Sequence, residues 1–463
     1  MIKYRIETDS LGVVNVPKTA YYGAQTQRAY ENFPISGYRM PREFIRALGI
    51  IKRSAGEANM RLGLLDKEIG NALVKAASEV IEGNFDHDFI LDVYQTGSGT
   101  STNMNANEII ANRAIEILGG KIGSKIPVHP NDHVNKGQSS NDVIPSAIHI
   151  AALEMIERYL LPALQNLQEA LSNKVQEFDD VVKIGRTHLQ DAVPMRLGQE
   201  FSGYASQIEH GIQRITNTKT NLHELAIGGT AIGTGLNTHK EFPELAIQKI
   251  SYYTGIIFRS AKNRFEALAS RDAIVEVSGQ LKTVAVSLMK IANDLRWLSS
   301  GSRCGIGEIT LPALQPGSSI MPGKINPVIP ESVMTICATV IGNDTTITIG
   351  GQHGNFELNV MMPMMAYHLL ESIRLLTNSV ENLVFRCING IVANKERAKS
   401  LIENSLAMVT ALTPKIGYDA AAKIAKQAFE EGKTVRQIAI EQKVLPEDEL
   451  NQVLDPMRQI FGE

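Results

Sequence analysis

Cysteine is scarce in this chain: 463 residues contain only Cys304, Cys337 and Cys387, far apart and in no paired spacing. That argues against a disulfide framework or a cysteine zinc site and fits a reducing compartment. Basic runs are also missing, and the formal net charge is -3. Nothing here is built to neutralise a nucleic-acid backbone, so any anionic ligand has to be held locally. No uninterrupted apolar run approaches the roughly 20 residues that cross a bilayer. The opening residues, MIKYRIETDS, have neither the apolar stretch of a secretory signal nor the Arg/Ser-rich, acid-poor character of a transit peptide. A cytoplasmic protein with no membrane or nucleic-acid partner is expected.

What is present is the composition of a soluble globular protein, 43% hydrophobic and 21% charged, in a chain long enough for two or three domains. Short helical patterns and turn-rich segments, such as residues 11–17 and 92–102, fill the first 140 or so residues. From about 140 to 360 most windows predict amphipathic helix, notably 143–178, 197–226 and 272–300. In the last of these Ile274, Val277, Leu281, Val284, Leu288, Ile291, Leu295 and Leu298 alternate spacings of three and four, the pattern of left-handed helix packing. At 1.5 Å per residue it predicts a helix roughly 40 Å long. Val275, Val286, Met289 and Ala292 lie off that stripe, which suits burial by several neighbours, from a bundle shared between subunits or from a large core of one chain. After about residue 365 shorter helices are expected.

Four polar clusters interrupt this pattern. TGSGTSTNMN (96–105) places Ser98, Thr100 and Asn103 at a helix start, where neutral donors and the helix dipole suit a carboxylate or phosphate. HPNDHVNKGQSSNDVIP (129–145) repeats the arrangement with Ser139, Ser140 and Asn141; its His129 and His133 complete no recognised metal pattern. GRTHLQDAVP (185–194) carries His188, the side chain suited to proton exchange near neutral pH, beside Thr187. GSSIMPGKINPVIPE (317–331) is too rich in Gly and Pro for a regular helix or central strand, and it offers Ser318, Ser319, Lys324, Asn326 and Glu331. Each cluster alone is also explained by helix capping or a flexible connection.

Together these stretches resemble the fumarase/aspartase superfamily, whose mobile-loop signature reads here as GSSIMPGKIN, and the likeness runs over essentially the whole chain. TGSGT, QSSND, RTHLQDA, GGTAIGTGLN, NRFEALA and GNFELNV are similar to class II fumarate hydratases. NPVIPE and DAVP look like aspartases, so aspartate ammonia-lyase stands as the alternative. The resemblance implies a mainly α, three-domain fold: an N-terminal lyase domain (1–138), a central long-helix bundle domain shared between subunits (139–363) and a small C-terminal helical domain (364–463). It also implies a homotetramer with each active site built from three subunits, and reversible hydration of fumarate to (S)-malate in the tricarboxylic acid cycle, with neither cofactor nor metal. By the same resemblance Ser318 is the general base, His188 with Glu331 activates water, and Lys324 and Asn326 stabilise the charged intermediate. Ser98, Thr100, Ser139, Ser140, Asn141, Thr187 and Ser319 are substrate ligands, and His129, Asn131 and Asp132 form a second anion site.

Overall fold

Helices dominate the computed structural model, which describes residues 3–461. A hairpin of β1 (Tyr4–Asp9) and β2 (Gly12–Pro17) opens the chain. Helices α1 (Ala24–Asn32), α2 (Arg42–Arg61), α3 (Lys67–Glu82), α4 (Thr100–Ile117), α5 (Ser140–Met155) and α6 (Leu161–Glu177) follow, then a second hairpin of β3 (Val182–Thr187) and β4 (Gln190–Arg196). Next come α7 (Leu197–Leu222), α8 (Phe242–Thr254), α9 (Arg264–Ala269), α10 (Asp272–Leu298), α11 (Val328–Gly351) and α12 (Met362–Arg386), with shorter helices from Lys395 onward.

The long-helix expectations hold with instructive edges. In α10 all eight stripe residues are buried, at about 1.5–3 kcal/mol for each large apolar side chain. The window 143–178 is interrupted by a π-helical turn, Ile156–Leu160. Pro162 follows it and has no N–H to return to the Arg158 carbonyl, so the ladder widens there. The window 197–226 ends four residues early, because Glu224–Leu225 pairs in parallel with Arg259–Ser260. Of residues 11–17 only Leu11 is in a turn; Gly12–Pro17 form β2, whose Val14 and Val16 are buried in an antiparallel pair. The change to short helices comes after α12, about twenty residues later than the pattern suggested.

The chain divides into two compact units. The first comprises Met1–Pro162, Gln213–Ala285 and Ala338–Thr377. Within it α2 packs on α3, α5 and α8, and α3 on α4. Glu108 of α4 is buried and accepts hydrogen bonds from the backbone N–H groups of Gly23, Gln25 and Thr26, capping α1 where Gly23 offers no side chain. His149 of α5 is half-buried, its ring packed into a desolvating surround. Burial, with the nearby Arg271 guanidinium, pulls its imidazole down to about 4, and Nδ1 pairs with the Glu224 carbonyl at 2.8 Å. A base held below its ordinary value stabilises the fold fully above about pH 6.5 and loses that contribution as pH falls through about 4. Chemical denaturation at steps between pH 7 and 4 should therefore show the parent losing stability faster than His149→Asn, by up to about 1.4 kcal/mol per pH unit. Parallel curves would remove His149 from acid unfolding.

The second unit comprises Ala163–Ile212, Val286–Cys337 and Asn378–Glu463. Its C-terminal helices bury Ile402, Met408, Leu412, Ile424, Ile438 and Leu450 in one cluster, and Ile184 of β3 belongs to that cluster. The β3–β4 hairpin is thereby rooted in a core rather than lying loose on the surface.

Candidate active site

Two of the polar clusters meet in the first unit. Thr100 is the first residue of α4 and Ser140 the first of α5, and their hydroxyls are 2.7 Å apart. Ser98 joins at 2.8 Å from Thr100, and Asn141 Oδ1 lies 3.5 Å from the Ser140 hydroxyl. The result is a row of hydroxyl and amide groups across two helix N-termini, an anion-seeking surface of neutral donors. Gly97 has to be glycine: a Cβ there would stand 1.6 Å from the Val360 carbonyl oxygen. That contact brings the GNFELNV segment against the cluster, and Met362 N–H donates to the Gly97 carbonyl.

Capping also operates here, beside the anion reading rather than in place of it. The Ser139 hydroxyl accepts from Asn141 N–H at 3.2 Å, and Asp142 Oδ1 accepts from Ser139 N–H at 2.9 Å, a capping box. The other Asp142 oxygen accepts from the N–H groups of Gly228 (3.0 Å) and Thr230 (2.9 Å), while Asn141 Nδ2 donates to the Ala231 carbonyl at 2.7 Å. GGTAIG is thus tied to the start of α5. Burial pushes the Asp142 carboxyl up to about 6 against those three donors and Lys52.

His129, Asn131 and Asp132 lie on a π-helical turn, Pro130–Val134. His129 Nδ1 accepts from the N–H groups of Asn131 and Asp132, each at 3.2 Å, and lies 3.3 Å from the Asp132 carboxylate. Asn131 and Asp132 are exposed and His129 half-buried.

The other two clusters belong to the second unit. Gly317 N–H donates to the Lys324 carbonyl at 2.7 Å and Asn326 Nδ2 to the Gly317 carbonyl at 2.6 Å, closing residues 317–326 into a loop. Inside it the Ser318 hydroxyl oxygen accepts two backbone hydrogen bonds, from Ile320 (3.2 Å) and Met321 (3.0 Å). Ser319 and Lys324 are exposed, and Lys324 and Asn326 line a cleft of about 590 Å³ with Arg296, Ser299, Thr310 and Asn394. The end of the segment corrects the sequence expectation: Val328–Glu331 is not loop but the first turn of α11. Prolines are tolerated there because the first turn's N–H groups have no helical partner to lose.

Thr187 ends β3 and pairs with Gln190, so His188 and Leu189 form a two-residue hairpin loop. Both have positive φ, 56° and 60°. That is the backbone of a type I′ turn, where Asn-Gly is usual and a leucine costs about 1–2 kcal/mol. His188 is held at the exposed tip. Among the described residues it shares no hydrogen bond or ion pair with Glu331, which is exposed on α11.

Residues 12–342 match the family described as Lyase, and residues 408–458 the one described as Fumarase C C-terminus. The chain is 53% identical to the class II fumarate hydratase of Nitrosomonas europaea over 99% of both proteins. It is 53% identical to the mitochondrial fumarate hydratase of Homo sapiens over 98% of this chain and 89% of that one. The fold superposes on the crystal structure of a class II fumarase from Schistosoma mansoni with a TM-score of 0.96, at 41% identity and full coverage of both chains. The chain belongs to the class II fumarate hydratase family.

For a fumarase, several supporting residues were not picked out by reading the sequence. Arg186 of β3 donates to both oxygens of Glu308, at 2.9 and 3.0 Å, and Lys183 Nζ lies 3.3 Å from the same carboxylate. Glu308 is fully buried. This clamp grips the hairpin two residues before His188. Its signal was a basic residue inside an otherwise half-buried strand. Asp142 was legible as the fourth position of a Ser-x-x-Asp capping pattern. Lys52 interrupts the apolar spacing of Ile45, Leu48 and Ala55 on α2, which marks it as a buried charge rather than a solvated one.

Proposed function

We propose that the chain catalyses the reversible hydration of fumarate to (S)-malate through the residues gathered above. The observation that carries this is that the chain, a family member at 53% identity, holds, each within its own unit, a hydroxyl row on two helix starts and a serine whose oxygen already accepts two backbone N–H bonds. In the malate-to-fumarate direction Ser318 takes the proton from the carbon beside one carboxylate and the hydroxyl on the next carbon leaves as water, its proton supplied by His188; hydration runs the same steps backwards. Two charge-assisted hydrogen bonds, at about 1.5–3 kcal/mol each, make the Ser318 alkoxide easier to form by about 3–6 kcal/mol. Lys324 supplies the remaining stabilisation of that anion.

Charge then builds on the substrate carboxylate, where Lys324 and Asn326 act as the oxyanion donors. In this reading Ser98, Thr100, Ser139, Ser140, Asn141, Thr187 and Ser319 hold the two carboxylates, and His188, oriented by Glu331, moves the proton of water. Since among the described residues His188 and Glu331 share no hydrogen bond or ion pair, their pairing is assigned to the assembled protein. A homotetramer with each site built from three subunits fits the apolar side chains left exposed on long helices: Val286 and Trp297 on α10, Ile349 on α11 and Phe385 on α12. The three-domain division at 138/139 and 363/364, the second anion site at His129, Asn131 and Asp132, and a cytoplasmic location belong to the same proposal. Among the described residues no helix is long and apolar enough to cross a membrane.

Malate and aspartate distinguish the leaving groups. Purified protein should produce fumarate absorbance from malate and none from aspartate; fumarate from aspartate alone would transfer the assignment to ammonia elimination.

A further inference from the structure

Behind the hydroxyl row lies a buried cation that the proposed chemistry does not use. Lys52 of α2 is completely enclosed. Its ammonium donates to Asn135 Oδ1 and to Gln138 Oε1, each at 3.0 Å. The same Asn135 oxygen accepts from the Asn103 and Asn107 amides of α4 at 3.1 and 3.2 Å, so three donors from two helices converge on one atom. Asn135 Nδ2 donates to the Gln138 carbonyl at 3.1 Å, and Gln138 Nε2 donates to the carbonyls of Val134 and Lys136. Gln138 is followed directly by Ser139, Ser140 and Asn141, and Asn103 lies one turn after Thr100. One ammonium therefore fixes both ends of the Thr100–Ser140 contact.

Its counter-charge completes the frame. Asp142, on the first turn of α5, holds Ser139 N–H on one oxygen and the GGTAIG loop on the other. Burial lowers Lys52 to about 7, with Asp142 opposing the shift. A fully desolvated lysine is costly to retain, and hydrogen bonds to neutral amides compensate it only in part. An ammonium carries donors and no acceptor, and two of its N–H groups are spent here on the amide oxygens of Asn135 and Gln138.

We infer that Lys52 is a positioning residue for the dicarboxylate site: its ammonium locks the starts of α4 and α5 against each other, so that Thr100, Ser140 and Asn141 present their polar groups in one geometry. This rests on reading the hydroxyl row as a substrate-carboxylate site. Two neutral hydrogen bonds to a carboxylate are weakened when the row is misplaced, which corresponds to on the order of tenfold in binding.

The test is steady-state kinetics of the protein in its native assembly with Lys52→Met, and with Asn107→Ala as the milder break at the same junction. The KM for fumarate and the inhibition constant of succinate should rise together, about tenfold or more for Lys52→Met and less for Asn107→Ala. The turnover number should stay within a few-fold of the parent, because Ser318 and Lys324 are untouched. Circular dichroism and melting temperature are read in parallel. A variant that melts earlier but keeps the parent's KM and succinate affinity overturns the inference, since that is what simple structural support gives. If Lys52→Met fails to fold, an unchanged KM in Asn107→Ala overturns it equally. An inactive parent instead sinks the site reading itself.

Discussion

Ser318→Ala should reduce fumarate hydration about 10²- to 10⁴-fold, the span expected when a positioned general base is removed. The fold should not change, because among the described residues the hydroxyl's bonds are to two N–H groups of its own loop. Closure by the Gly317–Lys324 and Asn326–Gly317 bonds does not depend on it. Ser319→Ala is the control beside it. Its exposed hydroxyl, assigned to substrate, contributes one neutral hydrogen bond worth about 0.5–1.5 kcal/mol, so activity should fall only about 2- to 10-fold. Initial rates from fumarate and malate, with far-ultraviolet circular dichroism and sedimentation on the same samples, decide the matter. Equal losses at the two serines would mean that the loop needs both hydroxyls for binding, and near-normal turnover of Ser318→Ala would remove it from proton abstraction.

What the sequence made legible, and what it hid, follows from how far each constraint reaches along the chain. The α10 stripe is local periodicity, and its eight residues are buried as read. The superfamily loop is equally local, since Gly317 bonds to Lys324 and Asn326, and Ser318 to Ile320 and Met321, all within ten residues. His188 was visible as a residue type, but its conformation was not. A His-Leu pair carries no hairpin signal, and the positive φ at both positions is compatible only with support from elsewhere. That support comes from Glu308, 122 residues beyond Arg186. Lys52 and Asn135 likewise lie 83 residues apart, so their bond could not be read from a window of sequence. The helical character of Val328–Glu331 was hidden for a different reason: two prolines in five residues read as a loop unless they fall where helical N–H groups are already unpartnered.

The clamp on the hairpin yields the second large effect. Glu308→Ala leaves the half-buried Arg186 without its bidentate partner, while the buried Lys183 retains Glu200 at 2.8 Å. Removing one member of a buried ion pair costs about 3–5 kcal/mol, because the remaining charge is desolvated and uncompensated. The cost should not stay local. Arg186 is the last firm anchor before a turn that holds two side-chain-bearing residues in the left-handed region, a conformation worth about 1–2 kcal/mol against each. With the anchor lost, the tip can relax toward ordinary backbone angles, and His188 leaves its place. Thermal unfolding should therefore move down markedly, and kcat/KM at a temperature well below the new transition should still fall by an order of magnitude or more. Glu308→Gln separates the two consequences: it keeps the shape and one acceptor oxygen for the guanidinium but removes the charge. It should recover most of the geometry, and hence more activity than stability. Parent-like melting and activity in Glu308→Ala would show that the hairpin holds its strained turn without the clamp, leaving the Ile184 anchor in the C-terminal core as the feature that positions His188.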